Sequence, residues 1–267
     1  MTAVTLQATE PAVPSSAGRP FLQMRNVSRH FGTLKAVDGV SFEMRAGELR
    51  AVIGPNGAGK TTFFNLISGL LPPTSGEVVF DGETITQQTV VRRVAKGIVR
   101  TFQITEILPD LSVYENIRVG VETALKLNSK AWISRSERAV VRERVAELMN
   151  IVHLSTKANR TVGELAHGDQ RVVEVAVALS LKPRLLLLDE PTAGMGDSET
   201  DHMVDLIRRL HQQQGMSILF IEHDMGIVFG IAERITVLDQ GRVLADGPPD
   251  AISNDPKVRA AYLGSAE

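Results

Sequence analysis

The chain has 267 residues, 43% of them hydrophobic and 22% charged, enough for one large or two modest cores. A formal net charge of -2 removes the basic field on which nucleic-acid affinity mainly rests, so no nucleic-acid partner is expected. The lack of cysteine excludes disulfides, thiolate metal sites and cysteine nucleophiles, and no apolar run approaches the roughly 20 residues that a membrane-spanning helix needs.

Residues 1–20, with Pro11, Pro14, Ser15, Ser16, Gly18 and Pro20, lack the basic start and apolar stretch of a secretory signal and read as a disordered tail. From Phe21 the pattern changes to short apolar runs. Residues 22–27 and 40–44 alternate as half-exposed antiparallel strands do, whereas Leu49–Ile53, an apolar run apart from Arg50, reads as a buried strand.

Directly after it stands Gly54-Pro55-Asn56-Gly57-Ala58-Gly59-Lys60-Thr61-Thr62, which fits G-x-x-x-x-G-K-[ST]. A strand before such a loop and a helix after it, here expected over 63–70, let backbone N–H groups close around a phosphate chain at the positive end of the helix. Lys60 supplies a charge for the outer phosphates and Thr61 a hydroxyl for magnesium. The helix is expected to close at Pro72-Pro73-Thr74-Ser75-Gly76, before a strand at 78–80 that enters a hairpin turn at Asp81-Gly82.

Between 104 and 163 the texture becomes helical, with amphipathic stretches at 113–125 and 135–152 whose mixed charges mark solvated faces, and this reads as an insertion in a domain spanning 21–267. Trp132 falls inside it and is expected in core or interface packing. A helix follows Arg171 with Val172, Val175, Ala176 and Leu179 as its apolar face. Leu185-Leu186-Leu187-Leu188 then ends in Asp189 and Glu190. A run apolar on every face is a central parallel strand, and ligands bind beyond the carboxyl ends of such strands, so the two acids are expected beside the glycine loop. Helix capping is the alternative use of these acids. A helix over 199–213, the strand Ser217–Ile221 ending in Glu222-His223-Asp224, and a hairpin of 234–238 with 242–244 complete the order.

Taken in order, the glycine loop, Gln103 within Arg100-Thr101-Phe102-Gln103, Leu165-Ala166-His167-Gly168-Asp169-Gln170, the 185–190 strand and His223 resemble the nucleotide-binding subunits of ABC transporters, over about residues 21–263. The resemblance implies an α/β fold: a P-loop NTPase core of mostly parallel sheet flanked by helices, with an antiparallel β subdomain and a helical insertion. It implies ATP and Mg2+ as ligands, with residues 54–62 around the phosphates and Thr61, Gln103 and Asp189 at the metal. Glu190 would be the general base, His223 would contact the terminal phosphate, and Phe31 would stack on adenine with Val37 in the same nucleotide contact. For each, a bland role exists: core packing for Phe31, a structural hydrogen bond for His223, an ordinary loop for Gln103.

Leu165, Ala166, His167, Gly168 and Asp169 would meet the nucleotide of an opposing chain, as a homodimer or a heterodimer. Here the common Leu-Ser-Gly-Gly-Gln is altered: Ala166 lacks the serine hydroxyl, Asp169 brings a carboxylate, and Gly196 stands where the family usually has aspartate. These departures, with Ala193-Gly194-Met195, Ile221-Glu222-His223-Asp224-Met225 and a tail running from Asp255-Pro256 to Gly264, are similar to importers of branched-chain amino acids, urea and short amides. The implied partners are transmembrane permease subunits and, indirectly, a solute-binding protein, at the cytoplasmic face of the plasma membrane. A lipopolysaccharide-type exporter, a soluble non-transport ATPase and a degenerate nucleotide-binding regulator are the rival readings.

Overall fold

The computed structural model describes residues 19–101, 107–130 and 132–263. In chain order the strands are β1 Leu22–Phe31, β2 Leu34–Met44, β3 Leu49–Ile53, β4 Ser75–Phe80, β5 Glu83–Thr84, β6 Ile98–Arg100, β7 Leu185–Asp189, β8 Ser217–Ile221, β9 Arg234–Asp239 and β10 Arg242–Gly247. Interleaved with them are α1 Lys60–Ser68, α2 Val90–Ala95, α3 Val113–Ala124, α4 Arg135–Ile151, α5 His167–Ser180, α6 Asp197–Gln214, α7 Met225–Ile231, α8 Pro249–Ser253 and α9 Pro256–Leu263.

Two sheets form. One is antiparallel in the order β2-β1-β4-β5, and the other runs β10-β9-β3-β8-β7-β6, parallel except for β10 at its edge. Every residue of β3, β7 and β8 is buried, and the reason lies in the two-residue period of a strand. Leu186, Leu188, Ile218 and Phe220 point into a core shared with α3, α5 and α6, while Leu185, Leu187, Leu219 and Ile221 point into a second core shared with α1 and the antiparallel sheet. A strand covered on both faces is apolar except where a buried polar group is paired, as Arg50 of β3 is with Glu48 and Asp246.

Register decides where these strands end. Val52 pairs with Ile221, and Ile221 with Asp189, so the chain leaves β3, β8 and β7 at one level on the same edge. Gly54, Glu222 and Glu190 therefore emerge together.

Several elements depart from the sequence expectation. β1 and β2 run for 10 and 11 residues, because register shifts between Met24 and His30 break the alternation without ending the pairing. α1 starts at Lys60 and stops at Ser68, where Gly69 takes φ 84 and its amide returns to Asn65 O, ahead of the prolines. α5 buries Val173, Val175, Ala176, Ala178 and Leu179, with Val172 only partly covered, because α3, α4 and α6 all pack on it. Trp132 is 87% exposed in the connection between α3 and α4, which corrects the core reading of that residue. The tail expected at 1–20 lies outside the described residues apart from Arg19 and Pro20.

α2 escaped the sequence reading, and it carries a structural arginine. Arg93 is 1% exposed and donates from Nη1 to Leu66 O at 2.6 Å and Ile67 O at 2.8 Å, covering carbonyls at the end of α1. Burial pulls its pKa down to about 10, so it stays charged at neutral pH. Replacing it with methionine leaves those carbonyls unmet. Arg93→Met is expected to lower stability by about 2–4 kcal/mol, read as a reduced urea midpoint with an unchanged slope.

Candidate functional site

The glycine loop is wedged between two neighbours that leave no room for side chains. A Cβ on Gly54 would stand 2.1 Å from Leu238 O at the end of β9, and one on Gly59 would stand 2.2 Å from Ala36 O of β2. Both residues also have positive φ, 153 and 99. The turn between β9 and β10 clamps the loop further, Gly241 N donating to Ala58 O at 3.0 Å. Pro55, Asn56 and Gly57 form its outer rim, and Thr61 is exposed in the first turn of α1 beside half-buried Thr62.

Lys60 is 8% exposed, and its ammonium donates to Gly54 O at 2.7 Å and Pro55 O at 3.1 Å. Burial holds its pKa below the usual lysine value, and the charges of Glu190 and Asp189 oppose that shift. The two acids that end β7 are thus close enough to act on the loop lysine, as the strand register requires.

Asp189 and Glu190 face different partners. The Asp189 Oδ2 accepts from Arg100 Nη2 at 2.5 Å, and the side chains of this pair are 1% and 6% exposed. Its Oδ1 is buried, and no hydrogen-bond donor reaches it among the described residues. An unmet carboxylate oxygen beside a phosphate loop fits a divalent cation or its bound water. Among the described residues no group of three His, Cys, Asp or Glu could hold a metal unaided, so an ion here would share its coordination with phosphate oxygens and the Thr61 hydroxyl.

Glu190 follows with φ 49, a left-handed conformation that costs a residue with a side chain of order 1 kcal/mol or more. Its amide is held by Ile221 O at 3.0 Å, and its Oε1 lies 2.9 Å from His223 Nε2. His223 is placed by its neighbour. Glu222, 4% exposed, accepts from Thr192 N at 2.9 Å, from Thr192 Oγ1 at 2.6 Å and from His223 N at 3.2 Å. One buried carboxylate therefore joins the segment after Glu190 to the end of β8.

Comparison with known proteins agrees with this arrangement. Residues 37–193 match the family described as ABC transporter, and residues 242–267 match one described as branched-chain amino acid ATP-binding cassette transporter. The chain belongs to the ABC transporter family. It is 40% identical over 254 residues to the high-affinity branched-chain amino acid transport ATP-binding protein BraF of Pseudomonas aeruginosa, covering 93% of this chain and 99% of that one. A solved ATP-binding cassette of an ABC transporter in its ADP conformation superposes with a TM-score of 0.81 at 30% identity, over 92% of this chain and 99% of its own. A dimeric cassette solved in a post-hydrolysis state with ADP and Pi gives a TM-score of 0.71 at 25% identity, over 85% and 98%. The chain is an ATP-hydrolysing cassette.

Within this cassette the expected site residues fall into four groups. Residues 54–62, Asp189, Glu190 and His223 meet at one edge of the sheet. Phe31 lies near the end of the β1–β2 hairpin, 44% exposed, with the Arg29 guanidinium 4.6 Å from its ring centroid, whereas Val37 is 1% exposed within the second core. Gln103 lies outside the described residues.

Leu165-Ala166-His167-Gly168-Asp169 makes its contacts elsewhere. Ala166 caps α5 without a side-chain hydrogen bond, Gly168 N donates to Glu199 Oε1 at 3.1 Å, and Asp169 pairs with Lys157. The Asp169 carboxylate is thereby turned toward a cation. Glu199 also accepts from Gly196 N at 3.2 Å, so one carboxylate ties the starts of α5 and α6.

Sequence reasoning missed Arg100, Glu222 and Tyr262. The first two were in view as neighbours of Gln103 and His223, and only the fold shows what they bond. Tyr262 on α9 brings its phenol to the Gly54 amide, which opposes the burial that pushes its pKa up to about 12. Because Glu222 orients both Thr192 and His223, Glu222→Ala is expected to cut ATP turnover about 10–100-fold while ATP affinity changes less than about threefold. Steady-state ATPase assays and nucleotide titration check this.

Proposed function

We propose that this chain hydrolyses ATP with Mg2+ to drive import of branched-chain amino acids or related small amides through separate permease subunits. The observation that carries the catalytic part is the Glu190–His223 contact, 2.9 Å long, standing beside Asp189 and Lys60 at the carboxyl ends of β7 and β8. A carboxylate aimed past a metal-binding aspartate is placed to polarise an attacking water, and an imidazole bonded to it holds the carboxylate's direction.

The division of labour follows from the donor set. The backbone N–H groups of residues 54–62, Pro55 apart, and the Lys60 ammonium bind the phosphates, and Thr61 and Asp189, with Gln103, would hold the metal. When bound, the ion neutralises charge on the phosphate oxygens. Glu190 accepts the proton of the water, His223 contacts the terminal phosphate, and Phe31 stacks on the base with Val37 behind the same contact.

A second copy or a homologous subunit completes the site. Gly168 is held by Glu199 and Asp169 by Lys157 within their own chain, away from its own glycine loop, which supports Leu165, Ala166, His167, Gly168 and Asp169 meeting the nucleotide of a partner across a dimer. The 2.5 Å pairing of Asp169 with Lys157 supports its tolerance near an anion. ATP then favours the closed pair through differential affinity, and hydrolysis releases it.

For the membrane partner, a groove of about 400 Å³ between α2, α3 and α4 is lined by Val91, Val94, Val121, Leu125 and Val140 and would receive a permease segment. Val91 and Val140 are 78% and 51% exposed, which suits contact with a partner. No helix among the described residues is long and apolar enough to cross a membrane, so attachment at the cytoplasmic face would run through the permeases. Similarity at residues 242–267 to the branched-chain cassette family supports this solute class over lipopolysaccharide export.

The test combines catalysis and transport. Glu190→Gln is expected to bind ATP as the parent does and to hydrolyse it about 10²–10⁴-fold more slowly. Assembled with its permeases in vesicles, the parent chain is expected to drive uptake of labelled leucine, and the variant is not. Hydrolysis by the variant at the parent rate removes the general-base assignment, and uptake of neither leucine nor a short amide removes the solute class.

A further inference from the structure

Arg100 has no part in the roles assigned above, yet it sits at their centre. Its guanidinium bonds Asp189 Oδ2 through Nη2 and Asn65 Oδ1 through Nη1, each at 2.5 Å, and stands 5.7 Å from the Phe64 ring centroid. Asn65 and Phe64 belong to α1, the helix that Lys60 opens, so one side chain joins the end of β7 to the phosphate-loop helix.

Only one carboxylate oxygen is engaged. Oδ1 is buried with no hydrogen-bond donor among the described residues, so the guanidinium neutralises Asp189 while leaving one oxygen unused. At this edge Lys60 and Arg100 are the cations that stand against Asp189 and Glu190. A buried aspartate left without its cation would repel the oxygens of an arriving triphosphate.

We propose that Arg100 is the resident counter-cation of Asp189, a positioning residue that shields the carboxylate from phosphate charge until a divalent ion takes over that neutralisation. Arg100 thereby lets the loop accept ATP before, or without, the metal. The inference rests on the reading of Asp189 as a metal ligand and is independent of how Glu190 and His223 act.

The test compares two affinities and needs no turnover. Binding of ATP in excess EDTA, and of a non-hydrolysable ATP analogue in excess Mg2+, is titrated for the full-length parent, Arg100→Met and Arg100→Gln. Gln keeps a donor for Asn65 and guards against a folding defect, which circular dichroism and melting curves monitor. Both variants are expected to lose about tenfold or more in metal-free affinity and less than about threefold with Mg2+, since the ion then supplies the missing charge. Adding Asp189→Asn to Arg100→Met is expected to restore metal-free binding, because the unshielded charge is gone. Equal losses in both titrations would make Arg100 a brace for α1, and no loss in either, or no rescue by Asp189→Asn, would likewise overturn the proposal. Any of these failures leaves the hydrolytic roles of Glu190 and His223 standing.

Discussion

The pairing of Val52 with Ile221 and of Ile221 with Asp189 is the constraint on which the site depends. Three strands fully buried on both faces cannot slide past one another without exposing leucines and isoleucines to water, so their common end is held as firmly as the core. What leaves that edge is polar: the glycine loop, Asp189-Glu190 and Glu222-His223. Groups separated in the chain by well over a hundred residues are thereby held against one another by apolar packing they do not share.

Around that edge, charge is arranged in pairs. Glu222 binds Thr192 and the His223 amide, Arg100 binds Asp189, and Lys60 leans on loop carbonyls within the field of both acids. Each of these buried charges thus has a partner, while at this edge Asp189 Oδ1 is a buried carboxylate oxygen that no donor reaches among the described residues. Preorganised groups of this kind need little rearrangement when phosphate arrives, which is where electrostatic catalysis gains most. Glu190, in a left-handed conformation, is the strained residue of the group, held by Ile221 O and His223.

Much of this was legible in the sequence because local pattern and buried position coincide. A short, mostly apolar run followed by a glycine-rich loop, or four leucines followed by two acids, leaves little choice of element or of edge, and β3, β7 and β8 fall where expected. The long hairpin of β1 and β2 was cut short in the reading because bulges interrupt its period. α2, at six residues, is too short to show a period, and the burial of Arg93 within it depends on carbonyls at the end of α1 and on those of Thr86 and Gln88. Trp132 was expected in core or interface packing by residue type, and the core half of that fails because it lies, exposed, in the connection between α3 and α4. The pairings of Arg100 and Glu222 are long-range contacts, which no window of sequence contains.

The most direct measurement is a structure of the Glu190→Gln chain bound to ATP and Mg2+. Convergence on one terminal phosphate predicts that its oxygens lie within about 4 Å of Lys60 Nζ, of the residue 190 side chain and of the His223 ring, with residues 165–169 of a second copy on the far side. A nucleotide whose terminal phosphate stands clear of residue 190 and His223 would contradict the account.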